Sequence, residues 1–320
     1  MFEERNVHLI LFVVYSAKSD TATFTMAQFG AQSSFLIVII GISLALGLGD
    51  VATAQVSQGI NTVWVAVGFS LGWNYLPSVG INHTLPEGRS LLTQGFVQNW
   101  KTAKLINKHY ARGLRWFLFA IVFAEAATNA FTVVSVVYLD GHIGMSGSEI
   151  GIFFFVTLLG TLPGSKLGAF VTHRTDPNTS IRLCMACMMV VTIVGALILS
   201  KGMLVLSYVW GVCIGVMLGW FYPTENLFFS MCLPKGHEAE LSGFYVYCTQ
   251  ILGWLPPLIF SLLVSNDVSQ KYGVMSVTVF FLVAIGLLSC AAPWDEIVDE
   301  VSQTIDEQKL DQTKKAAEVP

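Results

Sequence analysis

LRWFLFAIVFAEAATNAFTVVSVVYL, residues 114–139, is an apolar run long enough to cross a bilayer as one helix, with a single acid, Glu125, near its middle. A spanning helix needs about 20 such residues, because inside hydrocarbon every backbone N–H and C=O must be paired within the segment. Further apolar stretches at roughly 33–49, 59–79, 149–171, 183–200, 203–230, 242–264 and 272–292 bring the expected number of crossings to about eight. The composition agrees: 54% of residues are hydrophobic, 12% are charged and the mean hydropathy is +0.64. A soluble domain carries about twice that charged fraction. The expected class is therefore an all-α membrane protein. The formal net charge of −4 gives no reason to expect nucleic acid as a partner.

Segment by segment, the chain reads as an irregular N-terminus (1–32), two transmembrane helices (33–80), a polar linker (81–113), a block of six transmembrane helices (114–292) and an acidic tail (293–320). Val7–Ser16 is apolar but too short to span, and Glu3, Glu4 and Arg5 make a poor leader for a signal peptide. Arg89, Lys101, Lys104, Lys108, Arg112 and Arg115 surround the linker, and Arg174, Arg182 and Lys235 fall in later loops of the same parity. The other side shows Lys201 and Lys271. The positive-inside rule places the linker, and with eight spans both termini, in the cytosol. The sequons at Asn82 and Asn178 then lie on the cytosolic side, unused.

Within the linker, Leu92, Phe96, Trp100, Ala103, Ile106, Tyr110 and Leu114 recur at three- and four-residue steps, with lysines between them. That pattern predicts a basic amphipathic helix on the cytosolic membrane face; a solvated connector is the alternative. In the tail, acids outnumber lysines around a thin stripe of Ile297, Val301 and Ile305, which reads as solvated and partly helical or disordered.

Charge inside hydrocarbon is costly, so the intramembrane acids are candidate functional groups. Glu125 has Asn129 one turn on, with Thr128 and Thr132 nearby; Glu225 lies beside Asn226 and just after Tyr222 and Pro223. Hydrocarbon disfavours an ionised carboxylate, the condition under which a carboxyl group can take up and release a proton during transport. Each acid could equally serve as a helix–helix hydrogen bond. Pro163, Pro223, Pro256 and Pro257 interrupt three spans and are candidate gating points. Tyr245 and Gln250, together with Trp220, Tyr247 and Trp254, are candidate cavity-lining groups.

Enzymatic readings fail. Cys184 and Cys187 have redox spacing but sit in an apolar helix, and Cys213, Cys232, Cys248 and Cys290 are scattered through apolar segments, so no metal or disulfide site is expected. Gly144-Met145-Ser146-Gly147 has the look of an intramembrane protease motif, but His8, His83, His109, His142, His173 and His237 all lie outside the predicted membrane interior. No phosphate loop is present, and no cofactor is expected.

Gly219-Trp220-Phe221-Tyr222-Pro223-Thr224-Glu225, followed by Leu233-Pro234-Lys235-Gly236-His237-Glu238-Ala239-Glu240-Leu241-Ser242-Gly243-Phe244-Tyr245, resembles the vacuole effluxers of the autophagy-related protein 22 type, within the major facilitator superfamily. The signature is a Pro-x-Gly-x-Glu-Ala-Glu run entering Gly-Phe-Tyr, here carried by Pro234, Gly236, Glu238 and Glu240. Trp116-Phe117-Leu118-Phe119-Ala120 is similar to the start of that family's seventh helix. The resemblance covers roughly 90–295 and, more faintly, 33–80.

The resemblance implies a partial major facilitator fold with a complete C-terminal six-helix half and a chain lacking four leading helices, through N-terminal incompleteness or reliance on a partner or on self-association. It also implies a secondary transporter in the vacuolar membrane, exporting amino acids by alternating access, while proton coupling is the expectation set by the intramembrane acids Glu125 and Glu225. The alternative is a non-transporting scaffold or a truncated relic. Two departures stand out: Glu125-Ala126 occupies the place of an Asn-Asp pair, and His173-Arg174 that of an Asp-Arg pair.

Overall fold

A computed structural model describes residues 30–42, 45–47, 49–75, 91–233 and 238–303. The Val7–Ser16 run, the Asn82 sequon, Lys235 and the tail beyond 303 lie outside the described residues. The described chain is helical and contains no strand. In order, the helices are α1 (Gly30–Ile42), α2 (Asp50–Tyr75), α3 (Leu91–His109), α4 (Leu114–Tyr138), α5 (Gly147–Arg174), α6 (Pro177–Ile198), α7 (Leu204–Met231), α8 (Glu238–Gln250), α9 (Leu255–Ser265), α10 (Gln270–Ser276), α11 (Thr278–Ser289) and α12 (294–303).

Six helical stretches among the described residues are long and apolar enough to cross a membrane: Leu114–Ile143, Gly147–Arg174, Pro177–Ile198, Leu204–Met231, Glu240–Ser265 and Gln270–Ser289. They coincide with the six-helix block expected from 114 onwards. α2 has 26 residues but is less apolar than these, and α1 is a shorter apolar helix. Many large apolar side chains face outward, Val133, Val205, Val209 and Leu282 among them. In water such a surface would aggregate; in a bilayer it meets acyl chains, so this is an all-α membrane protein.

Helix ends follow from local chemistry. A π-helical turn, Leu139–Ile143, extends α4 and closes at Gly144, whose φ of 80° suits glycine. Ser146 then caps α5: its backbone N–H donates to the Glu149 carboxylate at 2.8 Å, while the Glu149 N–H donates to the Ser146 hydroxyl at 3.4 Å. Ser146 is thus a helix cap. α6 begins about six residues earlier than its hydropathy suggested, because Asp176 caps it and Pro177 occupies the first turn. That early start buries Asn178 at 4% exposure, out of reach of any glycosylating enzyme in the folded chain.

The packing seam between α5 and α7 is the most extensive in the bundle and was not read from the sequence. Gly160, Gly164 and Gly168 of α5 and Gly211, Gly215 and Gly219 of α7, both sets at four-residue spacing, line this contact. Gly160 meets Gly215 directly, Gly164 meets Val216, Gly219 meets Thr161, and side chains of Trp220, Phe153 and Thr157 fill its ends. A methyl group on Gly215 would overlap the Thr157 carbonyl oxygen, one on Gly164 the Val216 carbonyl oxygen, and one on Gly160 would lie 2.6 Å from the Val212 carbonyl oxygen. The backbones touch directly, the arrangement by which small residues join helices where lipid supplies no hydrophobic drive.

α4 is the most enclosed span, with 67% of its apolar window buried, against 17% for the Glu240–Ser265 span. That second span is not continuous. α8 stops at Gln250, residues 251–254 form a turn, and α9 restarts with Pro256 and Pro257 in its first turn, where helix N–H groups have no partner to lose.

The start of the tail is docked. Ile297, 1% exposed, occupies the space left by Gly113, and Val301 is buried as well. The Arg112–Glu296 ion pair at 3.3 Å is more than half exposed on both sides and contributes little, so apolar burial, with the Arg112 N–H donating to the Glu300 carboxylate at 3.2 Å, holds α12 in place. Ile297→Ala should cost about 2–4 kcal/mol of docking. Hydrogen exchange across 294–303 should accelerate while the spans keep their protection; unchanged exchange there would remove the docking from consideration.

Candidate functional site

Two acids 100 residues apart in sequence meet in the bundle. Glu125, midway along α4, is 5% exposed, and Glu225, two residues beyond Pro223 in α7, is 1% exposed. The Asn129 amide, one turn on from Glu125, donates to Glu125 Oε2 at 3.2 Å. The Tyr245 hydroxyl, from α8, donates to Glu225 Oε1 at 2.6 Å. The two carboxyl groups are neighbours in the interior, with Tyr222 beside both.

Carboxylates only accept hydrogen bonds, so contact between the two requires a proton on one of them. Glu225 Oε2 is buried and receives no donor from any described side chain. A proton held between that oxygen and Glu125 removes both problems: it satisfies the orphan atom and cancels one of two like charges in a low-dielectric interior. Among the described residues the acids have no Lys or Arg partner; the ion pair found there is Arg112–Glu296, near the linker.

Aromatic rings position Tyr245. It stacks on Phe229 with centroids 4.3 Å apart, while Phe117 of α4 stacks on Phe228 at 4.2 Å and Phe228 meets Trp294 of α12 at 5.2 Å. These rings tie α4, α7, α8 and the tail into one layer between the acids and the linker end of the bundle. Face-on contacts of this kind fix ring orientation, and with it the aim of the phenol.

Of the groups singled out from the sequence, Glu125, Asn129, Tyr222, Glu225 and Tyr245 come together. Asn226 turns back to its own helix, donating to the Tyr222 carbonyl at 2.9 Å. Gln250 is exposed at the end of α8. Pro163 and Pro223 lie inside α5 and α7; Pro256 and Pro257 open α9. Pro234, Gly236 and the Glu238 side chain lie outside the described residues. Glu240, in the first turn of α8, accepts a hydrogen bond from the buried Thr102 hydroxyl of α3. Thr102 was missed in the sequence because an isolated threonine in a polar linker carries no signal of its own. The Phe117–Phe228 layer was missed because its members come from different helices.

A profile of the family described as "Vacuole effluxer Atg22 like" matches residues 18–293. Autophagy-related protein 22-2 of Aspergillus fumigatus is 24% identical over 201 residues, covering 59% of this chain and 32% of the relative. The protein of the same name from Neosartorya fischeri shows the same identity and coverage. Autophagy-related protein 22-1 of Aspergillus clavatus is 22% identical over 201 residues, covering 59% and 33%. The match thus spans about a third of the length of these curated relatives.

Proposed function

The chain belongs to the Atg22-like vacuole effluxer family, and from that premise we propose that it serves as a secondary transporter of small solutes, exporting amino acids across the vacuolar membrane. Alternating access supplies the movement, and the Glu125–Glu225 pair supplies the proton coupling. The observation that carries the reading is the pair itself: two buried carboxyl groups, held by Asn129 and Tyr245. A structural crosslink between helices needs only neutral amides or hydroxyls. Two acids without a cation are a costly way to build one and a direct way to bind a proton.

The break at 251–254 supports the same reading. Discontinuous helices in transporters adjoin the binding site and let one part of a span move relative to the other. Tyr245 links the first half of that broken span to Glu225, so protonation of the pair and the position of α8 are joined by one hydrogen bond.

The test is uptake of radiolabelled amino acids by the purified chain in liposomes, with and without an imposed pH gradient. Accumulation that collapses with the gradient supports proton-coupled transport. Folded, oriented protein that takes up nothing under either condition favours a non-transporting membrane scaffold.

A further inference from the structure

The linker helix α3 and the residue after it carry two ladders, each at four-residue spacing. Thr102, Ile106 and Tyr110 are buried at 1%, 3% and 1% exposure and face the bundle, where Thr102 bonds to Glu240 of α8. In the other ladder Phe96 is 76% exposed and Trp100 66%, and it continues into exposed Lys104 and Lys108 with Lys101 alongside. Thr102 lies about 200° around the helix from Trp100, as Ile106 does from Lys104, while Phe96 and Trp100 are separated from Ile106 and Tyr110 chiefly along the axis, roughly two to four turns earlier. The single apolar stripe expected from the sequence is divided along its length: Ile106 and Tyr110 are spent on the protein, and Phe96 and Trp100 are covered by no described residue.

We propose that the outer ladder binds anionic lipid headgroups of the adjacent leaflet, with Phe96 and Trp100 entering the interface and Lys101, Lys104 and Lys108 meeting the lipid charge. Through Thr102 and Glu240 that contact holds the first turn of the broken span.

Charge and continuity argue for this occupant. From Gly88 to Ala124 the chain has no acid, while it carries Arg89, Lys101, Lys104, Lys108, Arg112 and Arg115. The ammonium of Lys104 lies 5.5 Å from the Trp100 ring, leaving aromatic and cation side by side on one surface. Exposed Trp and Phe beside lysines match a membrane interface, where rings take the headgroup level and lysines reach phosphates. α3 also enters the spanning helix α4 after four residues, 110–113, which keeps it at the bilayer surface.

The experiment is hydrogen exchange on the full chain in nanodiscs of phosphatidylcholine alone or of phosphatidylcholine mixed with phosphatidylserine. Anionic lipid should slow exchange across 91–109 by about tenfold, each lysine near such a surface being favourable. K101Q/K104Q/K108Q should lose that difference while its spans keep their protection. Thr102→Val should keep the lipid effect at 91–109 and lose it at 238–250, separating the lipid contact from its transmission to α8. Exchange equal in both lipids overturns the proposal. So does protection that is independent of the lysines, which would mean another segment of protein or a second copy covers the ladder. The readout needs no transport, so it stands or falls apart from the transporter reading.

Discussion

Gly215→Val should leave little intact six-helix block. The new side chain would enter the Thr157 carbonyl oxygen, and the facing Gly160 Cα leaves no room to shift. α5 and α7 must then separate along a seam that has no side chains to refill it. Overpacking of a rigid contact costs about 3 kcal/mol or more. Gly164→Val, against the Val216 carbonyl, should behave alike. The measurement is thermal unfolding in detergent together with the monodisperse fraction. Gly151→Ala supplies the contrast: it lies in the same helix with nothing within 4 Å of its added methyl, so it should gain up to about 1 kcal/mol from helix propensity. If all three substitutions behave alike, close backbone contact is not what holds the seam.

The second large effect concerns the acids. Glu125→Gln and Glu225→Gln keep shape and hydrogen bonding but cannot exchange a proton. Each should lower gradient-driven uptake by about tenfold to a hundredfold, the range of a coupling energy of about 1–3 kcal/mol. Residual transport should be flat with external pH. Both variants should unfold near the wild-type temperature, because an amide donates where the carboxyl pair needed a proton. The two losses should not multiply in the double variant, since one shared proton is removed either way. Uptake that stays gradient-dependent in both single variants sinks the pair as the coupling site.

The sequence yielded the six-helix block well because hydrocarbon imposes one rule on every segment: about 20 apolar residues with their backbone paired internally. The intramembrane acids were legible for the same reason, being exceptions to that rule. Their meeting was not. Glu125 and Glu225 become one site because α4 and α7 meet through side chains along their length, from Phe117–Phe228 to Tyr138–Trp210, and no local pattern encodes such a pairing. The α5–α7 seam was legible in principle, since glycines at every fourth position on two apolar helices form a known association pattern. The linker's stripe was legible, but which part of it the protein covers was not: Ile106 and Tyr110 are buried, while Phe96 and Trp100, earlier on the same stripe, are exposed. The tail misled because its acids outweighed two side chains, Ile297 and Val301, that decide where its first turns go.

The glycine seam also bears on how this half of the molecule can deform. Helices that touch through side chains can slide, because rotamers change as ridges pass over grooves. Where backbone meets backbone there is no compliant layer, so sliding would first have to pull the helices apart. α5 and α7 should therefore travel as one stiff beam, carrying Glu225 with them. Bending is left to the span with the least lateral support and an existing joint at 251–254. Among the described residues the α5–α7 pair is thus a fixed lever and 251–254 a soft hinge, and the carboxyl pair sits between the lever and α4.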